Sequence, residues 1–229
     1  MRKKSVACCL AILLLPMLAH SEAVTVLTGP NSSYTLSVHS YKQLAFRNTI
    51  RQQYDFSCGS AALATLLHYH YEVPVGERQI FNEMYQHGDP EKIRQVGFSM
   101  LDMKRYLASM QIKSDGYNVS LDELQKIGVP AIVLIKVGGY NHFVVISGIQ
   151  EKAVLVSDPA IGAKIYGRQQ FENMWGKIAF FITDQAEVGS QYFNRKVDWN
   201  SVARAPLRDG ILESNFSNWS FMMRGPADF

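Results

Sequence analysis

One cysteine in this sequence, Cys58, lies where a thiol could carry out covalent chemistry. Apolar residues follow it at spacings of three and four (Ala61, Ala62, Leu66 and Tyr69), a pattern that predicts a helix beginning at Cys58. The N-terminal end of a helix carries roughly half a positive charge, which stabilises a thiolate, the reactive form of cysteine. A buried, inert thiol is the alternative interpretation. The predicted position favours a reactive one.

A thiolate that attacks a carbonyl carbon also needs a base and a group that orients the base. His142 begins the apolar run 142–146, and Asp158 follows the end of the next such run. If the two runs form a hairpin, their adjacent ends bring the carboxylate close to the imidazole, where it would fix the tautomer and stabilise the imidazolium. His142 alone would be interpreted as an ordinary strand histidine. Together with Cys58 and Asp158, it is predicted to be catalytic.

Two adjacent glutamines precede the cysteine and could stabilise negative charge on an attacked carbonyl oxygen. A side-chain amide beside the backbone N–H of Cys58 would form such an oxyanion hole. Gln52 and Gln53 both remain candidates, and the spacing to Cys58 favours Gln52.

The N-terminal residues have the three-part pattern of a secretory signal peptide. Basic residues 2–4 precede an apolar run over residues 6–19, and Ser21 and Ala23 supply the small residues before the cleavage site. The apolar run is shorter than the about 20 residues that a membrane-spanning helix needs. We therefore predict a signal peptide over residues 1–23 and no stable membrane span after its removal.

Removal of this segment changes the chemistry of the chain. It takes away Cys8 and Cys9, so that Cys58 is left without a partner for an internal disulfide. It also takes away three basic residues and one acidic residue, which lowers the formal net charge from +3 to +1. Nucleic acid is not expected as a partner, because proteins that bind it usually carry a strongly basic face.

Helices in the first half and strands in the second predict an α+β fold. The strands are too close together for helical crossovers, so they are expected to be antiparallel neighbours. The predicted elements after the Cys58 helix are helices over Glu77–Gln86, Met100–Met110 and about Gln169–Trp175, and strands over 131–135, 142–146, 153–156 and Ile178–Thr183. The predicted segments are a signal peptide (1–23), an arm or hairpin (24–47), a main domain (48–183) and a polar C-terminal tail with scattered aromatic residues (184–229).

Neither a metal nor a cofactor is predicted. His68 and His70 lie two apart on the predicted helix and therefore point to different faces, and no set of ligands with His87 completes a tetrahedral site. The sequence contains no G-x-x-x-x-G-K-[ST] pattern of a phosphate-binding loop.

Three motifs in order give the chain a family resemblance. Gln52–Leu67, which reads Q-x5-C-G-x-A-A-L-x-x-L-L, resembles the active-site helix of the C39 peptidases, papain-like cysteine peptidases that remove double-glycine leaders from bacteriocin precursors. Residues 142–146 and the sequence Asp158-Pro159-Ala160-x-Gly162 are similar to the histidine strand and the Asp-Pro turn of that family. Gly97-Phe98-Ser99 and the helix after it resemble its middle region, so the resemblance covers about residues 48–183.

The resemblance implies a papain-like fold in which the N-terminal active-site helix packs on an antiparallel sheet. It implies that Cys58 is the nucleophile, His142 the general base and acid, Asp158 the orienting group and Gln52 part of the oxyanion hole.

With its predicted signal peptide, the chain resembles the stand-alone, exported C39-like proteins of bacterial functional amyloid (Fap) systems. This implies a periplasmic or secreted endopeptidase that cleaves a protein exported alongside it, such as an amyloid or fibre secretion component. The alternatives are a non-cleaving module that binds and escorts such a subunit, and acyl transfer to an amine by the same thiolate.

Overall fold

The structure is a computed structural model that describes residues 23–29, 32–37 and 44–203. The predicted signal peptide, apart from Ala23, lies outside the described residues, as does the predicted tail beyond residue 203. The described residues belong to two compact units, which divide between residues 39 and 40.

The first unit contains one antiparallel pair of strands. Strand β1 (Ala23–Gly29) pairs with β2 (Ser32–Ser37), with Ala23 opposite Ser37. Apart from Ala23, this pair lies within the segment 24–47, for which the sequence predicts an arm or hairpin.

The second unit contains the predicted catalytic residues. Its helices are α1 (Cys58–His70), α2 (Glu77–His87), α3 (Pro90–Val96), α4 (Met100–Ser109), α5 (Leu121–Ile127), α6 (Arg168–Met174), α7 (Ala186–Gln191) and α8 (Lys196–Ala203). Its strands are β3 (Ser114–Asn118), β4 (Ala131–Val137), β5 (Tyr140–Ile149), β6 (Ala153–Asp158), β7 (Gly162–Gly167) and β8 (Trp175–Ile182).

These strands form one six-stranded sheet in the order β3-β8-β4-β5-β6-β7. Every neighbouring pair is antiparallel. The hairpins β4–β5 and β5–β6 are consecutive in the chain, as the short spacing between their apolar runs predicts, and β7 adds a third hairpin that the sequence prediction does not contain. The predicted α+β fold with an antiparallel sheet is confirmed.

Helix α1 lies in the core against one face of the sheet. All of its residues from Cys58 to Leu67 are buried, so it has no solvent-exposed side over this length. It packs in one apolar cluster with Phe143 and Val145 of β5 and with Phe180 of β8. The opposite face of the sheet is covered by α5 and α6, through residues such as Leu124 and Phe171.

Helices α4 and α5 both begin with a capping box. The Ser99 side chain accepts from the backbone N–H of Asp102, whose carboxylate accepts from the Ser99 N–H, and Ser120 and Glu123 pair in the same way. Each pair satisfies two N–H groups that a helix end leaves unbonded. The Ser99 cap explains why α4 begins at Met100, the predicted start of that helix.

Some elements are absent from the sequence prediction. Helix α3 is short, and it begins at Pro90 after Asp89, whose side chain accepts from the N–H groups of Glu91 and Lys92. Strand β3 is exposed over four of its five residues and has no apolar alternation, so it depends on pairing with β8.

Part of the segment interpreted from the sequence as a polar tail is helical and packs on the sheet. It includes α7 and α8. Between them, the Asn194 side chain accepts from the N–H of Ile149 at 2.8 Å and donates to its carbonyl at 2.9 Å. The Asn194 N–H donates to the carbonyl of Ser147. These bonds lie beside the register shift between β5 and β6, where the sheet cannot satisfy all of its own groups.

A buried histidine at the end of α1 gives the domain a predictable sensitivity to acid. His70 is 1% exposed, and its pKa is lowered to about 3, mainly by burial. The positive charge of Arg195 contributes to this lowering of the pKa, and a hydrogen bond with the Tyr192 backbone opposes it by a smaller amount. Below about pH 6.5 the unfolded chain takes up a proton that folded His70 does not, so stability falls as the pH falls.

Below about pH 6.5, His70 should make the free energy of unfolding of the wild type fall by about 1.4 kcal/mol for each pH unit of acidification. Replacing His70 by Gln should remove this part of the fall. Urea unfolding of the wild type and of His70→Gln across that window measures the two slopes. His68→Gln, at an exposed position of the same helix, is the control for the loss of a histidine. Equal slopes for the wild type and His70→Gln would contradict the prediction.

Candidate active site

Cys58 is the first residue of α1 and reaches the wall of an open cleft. It is a free cysteine, 8% exposed, directly after the N-cap residue Ser57. The cleft has a volume of about 630 Å³. Its walls include Cys58, His142, Asp158, Phe56, Tyr140 and Lys164. The structure therefore brings the predicted cysteine, histidine and aspartate together at one cleft.

His142 and Asp158 are positioned by the hairpin β5–β6. His142 lies near the start of β5 and Asp158 ends β6, so the antiparallel pairing puts both at the same end of the sheet. Nε2 of His142 lies 2.7 Å from Oδ1 of Asp158. That oxygen also accepts from the backbone N–H of Ala160 at 2.8 Å, which holds the carboxylate in place. The other ring nitrogen, Nδ1, is left for the thiol.

The surroundings of His142 favour its protonated form. Burial alone would lower its pKa, but the hydrogen bonds to Asp158 and Cys58, and the negative charges of both partners, outweigh burial and raise the pKa to about 9. At neutral pH the ring is therefore an imidazolium with two N–H donors. In cysteine nucleophiles a protonated histidine beside the sulfur favours the reactive thiolate.

Gln52 is joined to this site through its backbone. Its N–H donates to the carbonyl of Pro159 at 3.0 Å, which ties the segment before α1 to the turn after Asp158. Its side-chain Nε2 donates to the carbonyl of Tyr54 at 3.1 Å, and Gln52 is not among the residues that line the cleft. An amide nitrogen carries two hydrogens, so one remains for a further acceptor. The side chain of Gln53 is exposed.

Several residues at the cleft are not predicted from the sequence. Tyr140, the first residue of β5, is 81% exposed, and Val96 and Ile161 add further exposed apolar surface at the rim of the cleft. Nζ of Lys164 lies 4.5 Å from the centroid of the Tyr166 ring. The sequence does offer a signal for this part of the cleft, since an aromatic residue, Tyr140, directly follows the predicted turn at Gly138-Gly139.

Two further findings hold for residues 23–29, 32–37 and 44–203. Within them, no three His, Cys, Asp or Glu side chains are grouped to hold a metal ion. No helix there is long and apolar enough to cross a membrane.

A cysteine at the start of a buried helix, facing a histidine and an aspartate of an antiparallel sheet, is the arrangement of a papain-like cysteine peptidase. Residues 47–187 match the model of the Peptidase C39 family, and the chain belongs to this family. The prediction of a C39-like cysteine peptidase is therefore confirmed.

Two curated relatives are both described as "Probable functional amyloid protease FapD". The one from Pseudomonas aeruginosa is 43% identical over 148 residues, which are 65% of this chain and 66% of the relative. The one from Pseudomonas fluorescens is 36% identical over 180 residues, 79% of each chain. The predicted resemblance to a protease of functional amyloid systems is confirmed.

The solved structure of the peptidase domain of Streptococcus ComA, described as a bi-functional ABC transporter involved in a quorum sensing pathway, has the same fold. It superposes with a TM-score of 0.52 at 17% identity and covers 60% of this chain and 98% of that domain. At this identity the likeness establishes the fold alone.

Replacing Asp158 by Asn should lower the pKa of His142 below about 9, because it removes the negative charge and keeps the shape of the side chain. In the wild type, the raised pKa stabilises the fold fully below about pH 6.5, and this contribution is lost as the pH rises through about 9. In Asp158→Asn the loss should come at lower pH.

An NMR titration of the His142 ring, with urea unfolding at the same pH values, measures both effects. Asp122→Asn is the control, since Asp122 is an exposed carboxylate paired with Arg168 at 2.6 Å. If His142 has the same pKa in Asp158→Asn and in the wild type, Asp158 does not stabilise the protonated ring, and the prediction is wrong.

Proposed function

We propose that the chain is an exported cysteine endopeptidase that cleaves a protein exported alongside it, with Cys58, His142 and Asp158 as its catalytic residues. The observation that carries the proposal is the 2.7 Å contact between His142 and Asp158 beside the Cys58 thiol. It supplies the nucleophile, the base and the orienting group that acyl transfer through a thiol requires.

In the first half of the reaction, the Cys58 thiolate attacks the carbonyl carbon of the scissile peptide bond. The C–N bond then breaks, a thioester forms on Sγ, and the imidazolium of His142 gives its proton to the leaving amine. In the second half, His142 takes a proton from water, whose oxygen attacks the thioester and releases the carboxyl product. The thiolate and the imidazolium are regenerated together.

Asp158 contributes through His142. A carboxylate on Nε2 fixes the tautomer and orientation of the ring and stabilises its positive charge while the thiol is ionised. The raised pKa of His142, about 9, supports this role because the ring then carries its proton at neutral pH and can act as the acid.

Gln52 is proposed to complete the oxyanion hole with the backbone N–H of Cys58. The hydrogen bond from the Gln52 N–H to Pro159 supports this assignment, because it holds the glutamine beside the turn that follows Asp158. Its side-chain amide has a second hydrogen that a substrate oxygen can use.

The proposed substrate is an amyloid or fibre secretion component, and the proposed location is the periplasm or the exterior of a bacterium. The names of the two Pseudomonas relatives and the predicted signal peptide over residues 1–23 support both. The open cleft with an apolar rim suits a protein or peptide segment. Neither nucleic acid nor a stable membrane span is part of the proposal.

Replacing Cys58 by Ala should abolish cleavage of the exported partner and leave the fold intact, because the substitution removes only the sulfur. The mature N-termini of proteins exported alongside the wild type and Cys58→Ala, determined by mass spectrometry, measure cleavage. In parallel, iodoacetamide at neutral pH should label Cys58 of the wild type faster than it labels a model thiol.

Unchanged N-termini in Cys58→Ala, with labelling of Cys58 no faster than the model thiol, would overturn the peptidase proposal. That result would favour the non-cleaving binding module. Products whose mass shows transfer to an amine in place of water would identify acyl transfer.

Replacing Gln52 by Ala should lower kcat by about 100- to 1,000-fold, the usual cost of losing one oxyanion-hole donor, while iodoacetamide still labels Cys58 rapidly. Gln53→Ala is the matched control, since it removes the neighbouring exposed amide. If the Gln53 substitution lowers kcat and the Gln52 substitution does not, Gln53 is the donor and the assignment of Gln52 is wrong.

A further inference from the structure

A buried carboxyl group outside the catalytic set contacts the segment before the nucleophile. Glu77 lies in the first turn of α2, and it is 3% exposed. Its Oε1 accepts from the hydroxyl of Ser57 at 2.6 Å and from the backbone N–H of Gln53 at 3.3 Å, with the Ser60 hydroxyl at 3.5 Å. Oε1 of Glu77 thus accepts hydrogen bonds from both ends of the short segment 53–57.

The positions of these donors connect Glu77 with the proposed catalytic residues. Gln53 directly follows Gln52, and Ser57 directly precedes Cys58. Ser57 is the N-cap residue of α1, yet its side chain makes no capping bond to the helix, and its hydroxyl donates to Glu77. The serine hydroxyl is therefore used to fix the segment against α2 and does not serve the helix end.

The segment is also fixed internally and from the opposite side. The Ser57 hydroxyl oxygen accepts from the N–H of Tyr54 at 3.1 Å, which closes the segment into a tight loop. On the other side, the Gln52 N–H donates to the carbonyl of Pro159. The proposed nucleophile and oxyanion donor are thus held between α2 and the Asp-Pro turn.

The second oxygen of Glu77 makes this arrangement costly for the fold. Oε2 is buried and has no hydrogen-bond partner within the part of the chain that the structure describes. A buried polar atom without a partner destabilises a protein, because it loses its bonds to water and gains none in return. Costs of this kind are typical of positions kept for function.

We infer that Glu77 is a positioning residue that sets the geometry between Cys58, Gln52 and the imidazole of His142 by clamping the segment 53–57. The inference rests on the proposed function. Catalytic groups must be held to within about 0.5 Å, and an error of about 1 Å can cost about 100-fold in rate. Loss of the clamp moves both ends of the segment, and so acts on the nucleophile and the oxyanion donor together.

The test measures the rate at which iodoacetamide labels Cys58, as a function of pH, in variants that circular dichroism shows to be folded. Glu77→Ala removes the clamp and should slow labelling at neutral pH by about tenfold to a hundredfold, with the rise of the rate displaced to higher pH. Glu77→Gln keeps an acceptor oxygen for Ser57 and Gln53 and should restore most of the rate.

A matched control separates positioning from a general loss of stability. Asp198 is also a buried acid, 7% exposed, and it binds Asn48 at 2.6 Å and Arg195 at 2.7 Å, none of which lines the cleft. Asp198→Ala should therefore lower stability and leave the labelling profile of Cys58 unchanged. If Asp198→Ala slows labelling as much as Glu77→Ala, the effect is structural and the inference is wrong.

Two further outcomes are decisive. If Glu77→Ala does not fold, Ser57→Ala removes the main donor to Glu77 and should slow labelling in its place; a wild-type rate in that variant would overturn the inference. If wild-type Cys58 reacts no faster than a model thiol, the proposed function fails. Rapid labelling of the wild type with an unchanged profile in Glu77→Ala contradicts the positioning role alone.

Discussion

The burial of α1 against β5 fixes the Cys58 thiol beside the imidazole of His142. Because the helix is buried on all sides from Cys58 to Leu67, it cannot rotate or slide without opening the core. Its first residue therefore stays at one end of the sheet, where the antiparallel pairing of β5 and β6 also places Asp158. The contact between the thiol and the imidazole that the proposed chemistry needs is a consequence of this packing.

The segment before α1 is the other half of the site. It has no regular secondary structure, so its position depends on side-chain and turn contacts: Glu77 on one side and the carbonyl of Pro159 on the other. A rigid core thus supplies the nucleophile and the base, and a clamped loop supplies the proposed oxyanion donor. The need to hold this loop explains why Glu77, a buried acid with one oxygen that has no partner among the described residues, is tolerated at the start of α2.

Short sequence patterns predict much of the fold and the residues that meet at the cleft. The start of α1 at Cys58, the capped starts of α4 and α5, and the antiparallel strands follow from apolar spacing, N-cap residues and short connections. The sequence does not show Glu77 as a buried group, because an acidic residue in a first turn usually indicates only a favourable helix dipole. Strand β3 and the helices after residue 184 depend on contacts with distant parts of the sheet, which no local pattern encodes.

The proposed function requires that a covalent bond forms between the substrate and Sγ of Cys58. Mass spectrometry of the acid-quenched reaction with an exported partner protein measures it directly, with peptide mapping to locate any adduct. We expect a thioester on Cys58 in the wild type and none in Cys58→Ala. Cleavage that proceeds without an adduct on Cys58, and equally well in Cys58→Ala, would contradict it.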